Sequence, residues 1–371
     1  MILFSRLAKV KLNTYQKNNM DYSEFLSHVR LRPGMYLGAT NLRGFIACLK
    51  LIISNQFVEK GAKAVVIDIK NDIEGNIQFL QPDKPYTDSY MEKLVPYVGP
   101  THSLYDLQIF NALCAKFTIQ FCDAQGHELL KQEFEKGKLV RGDKDGSTYD
   151  VQQLIISYQL DPTIWKDFVL PISVLLHSLE DFAYLHRRQS VQLKYKVDGH
   201  ACKVHYAFHD GLMDRLKIEK WKGLGNTYFD THLIEQIDGI KLEIAFAFRD
   251  YWVDQPFLRS YVNAYPTTEH GSHMDALLNG LVYGTMRYFQ KHKLTEQYKI
   301  SEKGIAQRLV GLIHVSMDEP LFSGCVKNKL ANPEIITPIA DFVATTLFQK
   351  LEMEPNSTEK LIQLFEINRL E

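Results

Sequence analysis

Two loops at opposite ends of the sequence carry the residue types best suited to chemistry. The first reads VRLRPGMYLG over residues 29–38 and places a cation, a rigid turn and an aromatic ring within a few residues of Arg32. The second reads SGCVKNKLANPEI over residues 323–335, and its two lysines lie in a loop between prolines. Generic core segments do not concentrate charge and turn residues in this way. Both loops are therefore candidates for function, and the open question is whether they meet at one site.

Composition limits the class of protein to which the chain belongs. The 371 residues are 45% hydrophobic, which is enough for more than one buried core and predicts two domains. The 43 basic and 44 acidic residues nearly cancel, so any contact with nucleic acid is expected to be local. The five cysteines include no C-x-x-C pair, which favours free thiols over a zinc site. Because no apolar run approaches the ~20 residues of a membrane span, we expect a cytoplasmic protein without membrane contact.

The first 20 residues, MILFSRLAKVKLNTYQKNNM, are predicted to be an N-terminal arm or extension. They lack the apolar h-region and the small-residue cleavage site of a signal peptide. Two interpretations remain open at this point. The segment is either an arm that exchanges with a second copy of the chain, or an over-extended start that precedes a true initiator at Met20.

Residues 21–215 are predicted to form one domain of the α+β class, because helices flank a mixed sheet that is rich in hairpins. Hydrophobic spacing and turn residues predict helices over 22–31, 43–60, 103–115 and 170–186. Strands are predicted over 64–69 and 76–80 with a turn at Gly75-Asn76, and hairpins over 116–134 and 191–208.

Residues 216–371 are predicted to form a second domain, whose elements alternate between strand and helix. The strands are predicted over 239–248, 257–266 and 308–317, and the helices over 273–291 and from 335 onward. The segment HLIEQIDG, residues 232–239, is predicted to be a helix and its stop. With the usual right-handed crossover, this order indicates a ribosomal-S5-like α/β unit.

Three segments in register resemble one known family. VRLRPGMYLG is similar to the family pattern V-R-x-R-P-G-M-Y-I-G. NAYPTTEHGSHMDALLNGL, residues 263–281, is similar to N-x-I-x-T-x-x-G-G-T-H-x-x-G-F, and DEPLFSGCVKNKLANPEI, residues 318–335, is similar to x-D-P-x-F-x-x-Q-T-K-x-K-L-x-x-x-E-V. The chain thus resembles, from about residue 22 to 350, the N-terminal half of type IIA topoisomerase B subunits (gyrase B or topoisomerase IV B).

This resemblance implies a GHKL (Bergerat-type) ATPase sandwich followed by an S5-like transducer domain, with ATP and Mg²⁺ as cofactors. The transducer lysine of the family reaches the γ-phosphate of ATP, and Lys327 matches it. Such a point charge stabilises developing negative charge. The resemblance also implies that Asn55 coordinates Mg²⁺ and that Ser147 lies near adenine. The remaining motif positions are Arg32, Pro33, Gly34, Tyr36, Gly271 and His273.

Several positions depart from the family pattern and lack the groups that the family uses to bind and hydrolyse ATP. The general base of the family aligns with Leu51, which cannot accept a proton, and such a loss commonly costs ~10²–10⁴-fold in rate. The Asp-x-Gly-x-Gly box aligns with Gln81 and Pro85, and lid glycines align with Leu104 and Asp106. Side chains at those positions block the backbone approach to phosphate, and an aspartate also repels it. The sequence therefore predicts a kept scaffold whose ATP chemistry is lost.

The retained residues also have structural interpretations. Asn55 can simply cap or pack a helix, and Lys327 can be a solvated loop lysine. Arg32 and Tyr36 can fix the turn into the next helix, and His273 can form a hydrogen bond at a helix start.

Three functions remain open from the sequence. The first is a pseudo-ATPase module linked to DNA topology, and the second is an active ATP-dependent gate subunit of a split topoisomerase. The third is a non-catalytic chain, either a dimeric module that binds a topoisomerase or another protein, or a remnant or decoy with no nucleic-acid role. The resemblance implies a homodimer that works with topoisomerase cleavage subunits and DNA. Neither the E-G-D-S-A motif nor the D-x-D pair of the Toprim domain is found, so we expect that the chain cannot cleave DNA alone.

Overall fold

The computed structural model describes residues 22–84, 102–142, 151–222, 226–263, 265–296, 298, 300–324 and 327–366. Within it the chain divides into two units, with the division between His209 and Asp210. The boundary predicted at 215/216 falls inside the helix Leu212–Trp221, which packs against a strand of the second unit.

The first unit alternates helices with a large sheet. Its helices are α1 (Tyr22–Leu31), the single turn α2 (Gly34–Leu37), α3 (Leu42–Asn55), α4 (His102–Ala112) and α5 (Ile172–Tyr184), and a π-helical turn, Gln56–Lys60, follows α3. Its strands are β1 (Ala64–Ile69), β2 (Glu74–Leu80), β3 (Cys114–Cys122), β4 (Glu128–Glu135), β5 (Lys138–Gly142), β6 (Gln153–Leu160), β7 (Ser190–Val197) and β8 (His200–Ala207).

These eight strands form one sheet in the order β5-β4-β3-β6-β2-β1-β7-β8. Neighbouring strands pair antiparallel except β1 and β7, which are parallel. Burial alternates residue by residue along β1, β2 and β6, so one face of the sheet is covered and the other is open. On the covered face, the Phe45 ring of α3 packs against Phe110, Tyr158, Trp165 and Phe168.

An ion pair ties the first helix to the rest of this unit. Arg30 donates to the Oδ2 atom of Asp161 at 2.5 Å and to the carbonyl of Ala112 at 2.7 Å. Asp161 also accepts from the amide and the hydroxyl of Thr163. Burial raises the pKa of this carboxyl, but the hydrogen bonds from Arg30 and Thr163 outweigh burial and lower its pKa from 3.8 to about 2.

We expect Asp161→Asn to remove an acid-sensitive part of the stability. A carboxyl whose folded pKa is depressed stabilises the fold above its unfolded pKa, and this contribution is lost as the pH falls from about 4 through about 2. The variant should lose about 2 kcal/mol in urea unfolding at pH 7, and its stability should fall less between pH 5 and pH 3. The control is Glu133→Gln, which breaks the surface pair with Lys131 and should change little. Parallel pH profiles for Asp161→Asn and the unmodified chain would contradict this assignment.

The second unit has a smaller sheet under two long helices. Its elements are α6 (Leu212–Trp221), β9 (Thr227–Ile237), β10 (Ile240–Arg249), β11 (Phe257–Val262), β12 (Tyr265–Pro266), α7 (Ser272–Lys291), α8 (Glu302–Ala306), β13 (Leu309–Ser316), a 3₁₀ turn (Pro333–Ile335), α9 (Ile336–Met353) and α10 (Pro355–Glu366). The sheet order is β12-β11-β13-β10-β9, and only β11 and β13 pair in parallel. Helices α7 and α9 pack closely because Gly280 and Gly284 lie against Val343 and Ala344.

Three local predictions from the sequence were wrong. Residues 232–239 are not a helix, because strand β9 continues to Ile237 and a positive-φ turn at Asp238-Gly239 leads into β10. The turn before β2 lies at 71–73 rather than at Gly75, because the Asn71 side chain accepts from the amides of Ile73 and Glu74. The strand predicted over 257–266 breaks at Asn263, whose φ is 48°, and folds back as β12.

Within the described residues, no helix combines the length and apolar character needed to cross a bilayer.

Candidate functional site

Asn55, the predicted Mg²⁺ ligand, lies at the end of helix α3 and is only 2% exposed. Its Nδ2 atom donates to the Oδ2 atom of Asp106 on helix α4 at 2.9 Å. Asp106 stands where the resemblance predicts a lid glycine. The residue expected to coordinate a cation is therefore hydrogen-bonded to a carboxylate of the chain itself.

Leu51 lies one helical turn before Asn55 and faces a small pocket. The pocket is lined by Tyr36, Leu37, Ala47, Cys48, Leu51, Asp106 and Ile109. Its volume is about 10 Å³, room for roughly one water molecule, whereas ligand pockets usually have ~300–1,000 Å³. Burial, and then the nearby Asp106, raise the pKa of the Cys48 thiol. This pocket among the described residues is too small for a nucleotide, and Leu51 itself cannot accept a proton.

The segment after β2 takes the place of the predicted adenine-binding box. Gln81 adopts a φ of 50°, and its amide donates to the carbonyl of Gln152 at 3.2 Å. Asp83 pairs with Lys63 at 2.5 Å and packs against Gly61, where an added Cβ would lie 2.8 Å from the carboxylate. Residues 81–84 therefore fold back onto the end of the π-helical turn.

Some predicted positions fall partly or wholly outside the described residues. Ser147 and Pro85 lie outside them, and for Leu104 only the helical backbone is described. The adenine contact of Ser147 stays a prediction.

The Arg32-Pro33-Gly34 loop forms a tight helical turn that connects α1 to α3. Tyr36 pairs its hydroxyl with the Nδ1 atom of His28 at 2.6 Å, and its ring meets the Phe25 ring edge-on at 6.2 Å. Arg32 is exposed to solvent, and Pro33 precedes the first residue of α2. These contacts are those of a structural turn.

Lys327 belongs to the second unit, and its side chain rests on aromatic rings. Its Nζ atom lies 4.8 Å from the ring centre of Tyr265 and 6.0 Å from that of Phe322. Its φ is 60°, and its amide donates to the carbonyl of Gly324. The attraction between the ammonium group and the aromatic faces restricts the position of this lysine.

The backbone on either side of Gly271 holds the Lys327 loop. Leu330 donates to the carbonyl of His270 at 3.0 Å, and Ser272 donates to the carbonyl of Leu330 at 3.1 Å. Gly271 has a φ of 113°, and a Cβ there would lie 2.1 Å from the Leu330 oxygen. His270 replaces a family glycine yet keeps a φ of 57°. The retained glycine is therefore required by a close approach of two backbones.

A buried polar cluster under this loop escaped the sequence reasoning. The Oγ atom of Ser260 lies 2.7 Å from Thr267 Oγ1 and 2.8 Å from His270 Nδ1, and Thr267 lies 3.1 Å from His273 Nε2. Burial lowers the pKa of His273 to about 3, so this imidazole is neutral at ordinary pH and acts as a structural hydrogen-bonding group.

Asn332 is a further residue that the motif comparison missed. Its side chain accepts from the amide of Leu321 and donates to Glu319 and Glu334, which fixes the start and end of the loop. The Asn332-Pro333 dipeptide, a common turn initiator, was the available signal.

The residues present do not fit a magnesium nucleotide at Asn55. Among the described residues, no group of three or more His, Cys, Asp or Glu side chains could hold a metal ion. Asn55 turns its N–H toward Asp106, and the carboxylate charge opposes a phosphate in the same place. The side chain predicted to coordinate Mg²⁺ is therefore engaged with a carboxylate of the chain.

Comparison with known proteins shows which sequences this chain resembles. The family model described as DNA gyrase B matches residues 212–369. The DNA gyrase B protein of Streptococcus pyogenes serotype M3 is 23% identical, over 98% of this chain and 59% of that protein. The DNA gyrase B protein of Helicobacter pylori is 23% identical, over 94% of this chain and 48% of that protein. Residues 212–369 match the gyrase B family model, and nearly the whole chain is similar in sequence to gyrase B proteins.

Solved structures show the same fold as this gyrase B-like chain. The 43K ATPase domain of Thermus thermophilus gyrase B, in complex with an aminocoumarin, superposes with a TM-score of 0.75 at 20% identity, covering 93% of this chain and 96% of that one. The B-subunit of the DNA gyrase from Myxococcus xanthus gives 0.74 at 17% identity, covering 91% and 99%. The predicted GHKL α+β fold is confirmed, and the S5-like transducer assignment of the second unit remains a prediction.

This gyrase B-like chain spans about three fifths of the Streptococcus pyogenes protein and about half of the Helicobacter pylori protein.

Proposed function

We propose that the chain is an ATPase-deficient gyrase B-like module that acts in DNA topology without nucleotide turnover. The observation that supports this most strongly is the hydrogen bond between Asn55 and Asp106. It joins the position of the cation ligand to a carboxylate, in a place where a nucleotide-binding relative needs room for phosphate.

Electrostatics explains why Asp106 opposes nucleotide binding. Two like charges 4 Å apart repel by ~4 kcal/mol at the effective dielectric constant of a protein surface, and a triphosphate carries several charges. A bound cation could offset part of this repulsion, but the Asn55 amide is already engaged with Asp106. The Asp106 carboxylate thus opposes the electrostatic attraction that a binding site would have to provide for the phosphates of a nucleotide.

Hydrolysis requires activation of a water molecule in addition to nucleotide binding, and Leu51 cannot provide it. A side chain without a lone pair cannot act as a general base, and this leucine lines the small pocket that Asp106 also lines. A nucleotide that did bind would therefore lack the group that starts hydrolysis.

The retained scaffold suggests a binding role in place of catalysis. The partners that we propose are a second copy of this chain, topoisomerase subunits and DNA, in the cytoplasm. Support comes from the kept gyrase B fold and from the ordered hydrogen bonds that still fix the Lys327 loop.

Isothermal titration with a non-hydrolysable ATP analogue and Mg²⁺ tests this proposal. We expect no saturable binding up to millimolar analogue, while a gyrase B ATPase fragment titrated in parallel binds. Asp106→Gly should regain measurable affinity, because it removes the opposing charge and releases Asn55. The matched control is Asp83→Gly, which removes a surface carboxylate from the same unit and should not gain affinity.

Micromolar, Mg²⁺-dependent binding by the unmodified chain would reject the proposal. It would instead favour the active gate subunit of a split topoisomerase.

A further inference from the structure

A notch lies at one end of the large sheet, where strand β1 stops short of its neighbour β7. Strand β1 pairs with β7 in parallel only as far as Asp68 and Lys194. Strand β7 continues to Val197 and stays paired with β8 on its other side. The β7–β8 hairpin therefore projects beyond β1, and the space beside it has a volume of about 590 Å³.

Lysines dominate the lining of this notch. Lys70 follows β1, Lys194 and Lys196 lie on β7, and Lys203 lies on β8; all four are exposed. Lys194 pairs in register with Lys203, and Lys194 and Lys196 lie on the same side of their strand. Asp68 is the one acidic residue in the lining. None of the four lysines forms an ion pair with a carboxylate of the described residues.

Resting on the DNA-linked role proposed above, we propose that this notch, formed by Lys70, Lys194, Lys196 and Lys203, binds the phosphate backbone of duplex DNA. The spacing of the lysines is that of the sheet, about 7 Å along β7 and about 5 Å across to β8. Such a row of flexible point charges matches a row of phosphates. Lysine lacks the planar guanidinium fork of arginine, so these contacts do not read the bases. The binding is therefore independent of DNA sequence.

Other macromolecules fit this surface less well. The buried centres of protein interfaces are depleted in lysine and rely on aromatic or arginine anchors. The described residues of the notch lining include no arginine and no exposed aromatic side chain. Single-stranded nucleic acid binds through platforms of several stacked rings, and the lining contains one half-buried ring, Tyr195. The balanced charge of the whole chain agrees with a local contact of this kind.

The proposal gives a definite salt dependence. Each phosphate neutralised on duplex DNA contributes about −0.9 to the slope of log Kobs against log salt concentration. Contacts by four lysines predict a slope of about −3.6, and hence a loss of about 150-fold in affinity between 50 and 200 mM salt.

Fluorescence anisotropy of a labelled 20-base-pair duplex tests the proposal. We expect the unmodified chain to show the slope above, and Lys194→Ala/Lys196→Ala to bind more weakly with the slope reduced to about −1.8. The control is Lys131→Ala, on the same sheet but paired with Glu133 at 2.7 Å, which should match the unmodified chain. Circular dichroism confirms that each variant is folded.

Absence of binding at 50 mM salt, or equal slopes for the double variant and the unmodified chain, would overturn the proposal. Stronger binding to a single strand of the same length would also overturn it. These results do not depend on nucleotide binding, so they are separate from the test of the ATPase-deficient function.

Cys202 provides an internal reporter in the notch. It lines the notch and is partly exposed, whereas Cys48, Cys114 and Cys122 are buried. Duplex DNA at 50 mM salt should slow maleimide labelling of Cys202 by at least threefold, with peptide mass spectrometry separating this residue from Cys325. Protection should disappear in Lys194→Ala/Lys196→Ala. DNA binding that leaves the labelling rate of Cys202 unchanged would place the DNA elsewhere and refute the assignment.

Discussion

The purified chain is expected to hydrolyse Mg-ATP at least ~10²-fold more slowly than a gyrase B ATPase fragment under the same conditions. Leu51 alone predicts this, since loss of a general base costs ~10²–10⁴-fold in rate. The Asn55–Asp106 hydrogen bond adds to the loss because it opposes binding of the substrate. A coupled assay of phosphate release, with saturating ATP and with DNA added or omitted, measures the difference.

Variants at the two positions separate their contributions to this deficit. Leu51→Glu should stay inactive because Asp106 still opposes the phosphates, and Asp106→Gly should bind nucleotide without turning it over. The double variant Leu51→Glu/Asp106→Gly is the only one of the three expected to gain hydrolysis. A rate for the unmodified chain within tenfold of the gyrase B fragment would contradict the interpretation of both residues.

Gly271→Ala is expected to destabilise the second unit by about 3 kcal/mol. The new Cβ would lie 2.1 Å from the oxygen and 2.6 Å from the nitrogen of Leu330, both backbone atoms that cannot rotate away. The φ of 113° adds strain for any residue with a Cβ. Strain of ~1–3 kcal/mol and overpacking of ~1–3 kcal/mol together give the expected magnitude. Urea unfolding of the full chain, followed by circular dichroism, measures it.

A second glycine provides the matched control for this substitution. Gly239, in the turn between β9 and β10, has a φ of 83° but nothing within 4 Å of its added Cβ. Gly239→Ala carries the backbone strain without the clash and should cost only about 1 kcal/mol. Equal losses in the two variants would show that the contact between residues 271 and 330 does not hold the Lys327 loop.

Much of the fold followed from local patterns in the sequence. Strand β1 was predicted from its apolar run AVVIDI, and the turns at Gln125-Gly126 and Asp198-Gly199 mark hairpins that the structure contains. Strand β9 was missed because residues 232–239 have mixed spacing, and the pairing with β10 decides their conformation. The π-helical turn after Asn55 has no comparable sequence signal.

The candidate site was predictable by position but not by contact. Comparison with the family motifs identified Asn55 as a retained residue, and Leu51 and Asp106 as departures from the family pattern. Nothing local indicates that residue 55 and residue 106 touch, since that contact depends on how α3 and α4 pack on the sheet. The same holds for Ser260, Thr267 and His273, which meet through tertiary structure.

The most direct test of the central claim is a crystal structure of the chain grown with Mg²⁺ and a non-hydrolysable ATP analogue. The account predicts that Nδ2 of Asn55 stays within hydrogen-bonding distance of the Asp106 carboxylate, with no ordered triphosphate beside Leu51. A triphosphate bound through Mg²⁺ to Asn55, with Asp106 turned away, would contradict it.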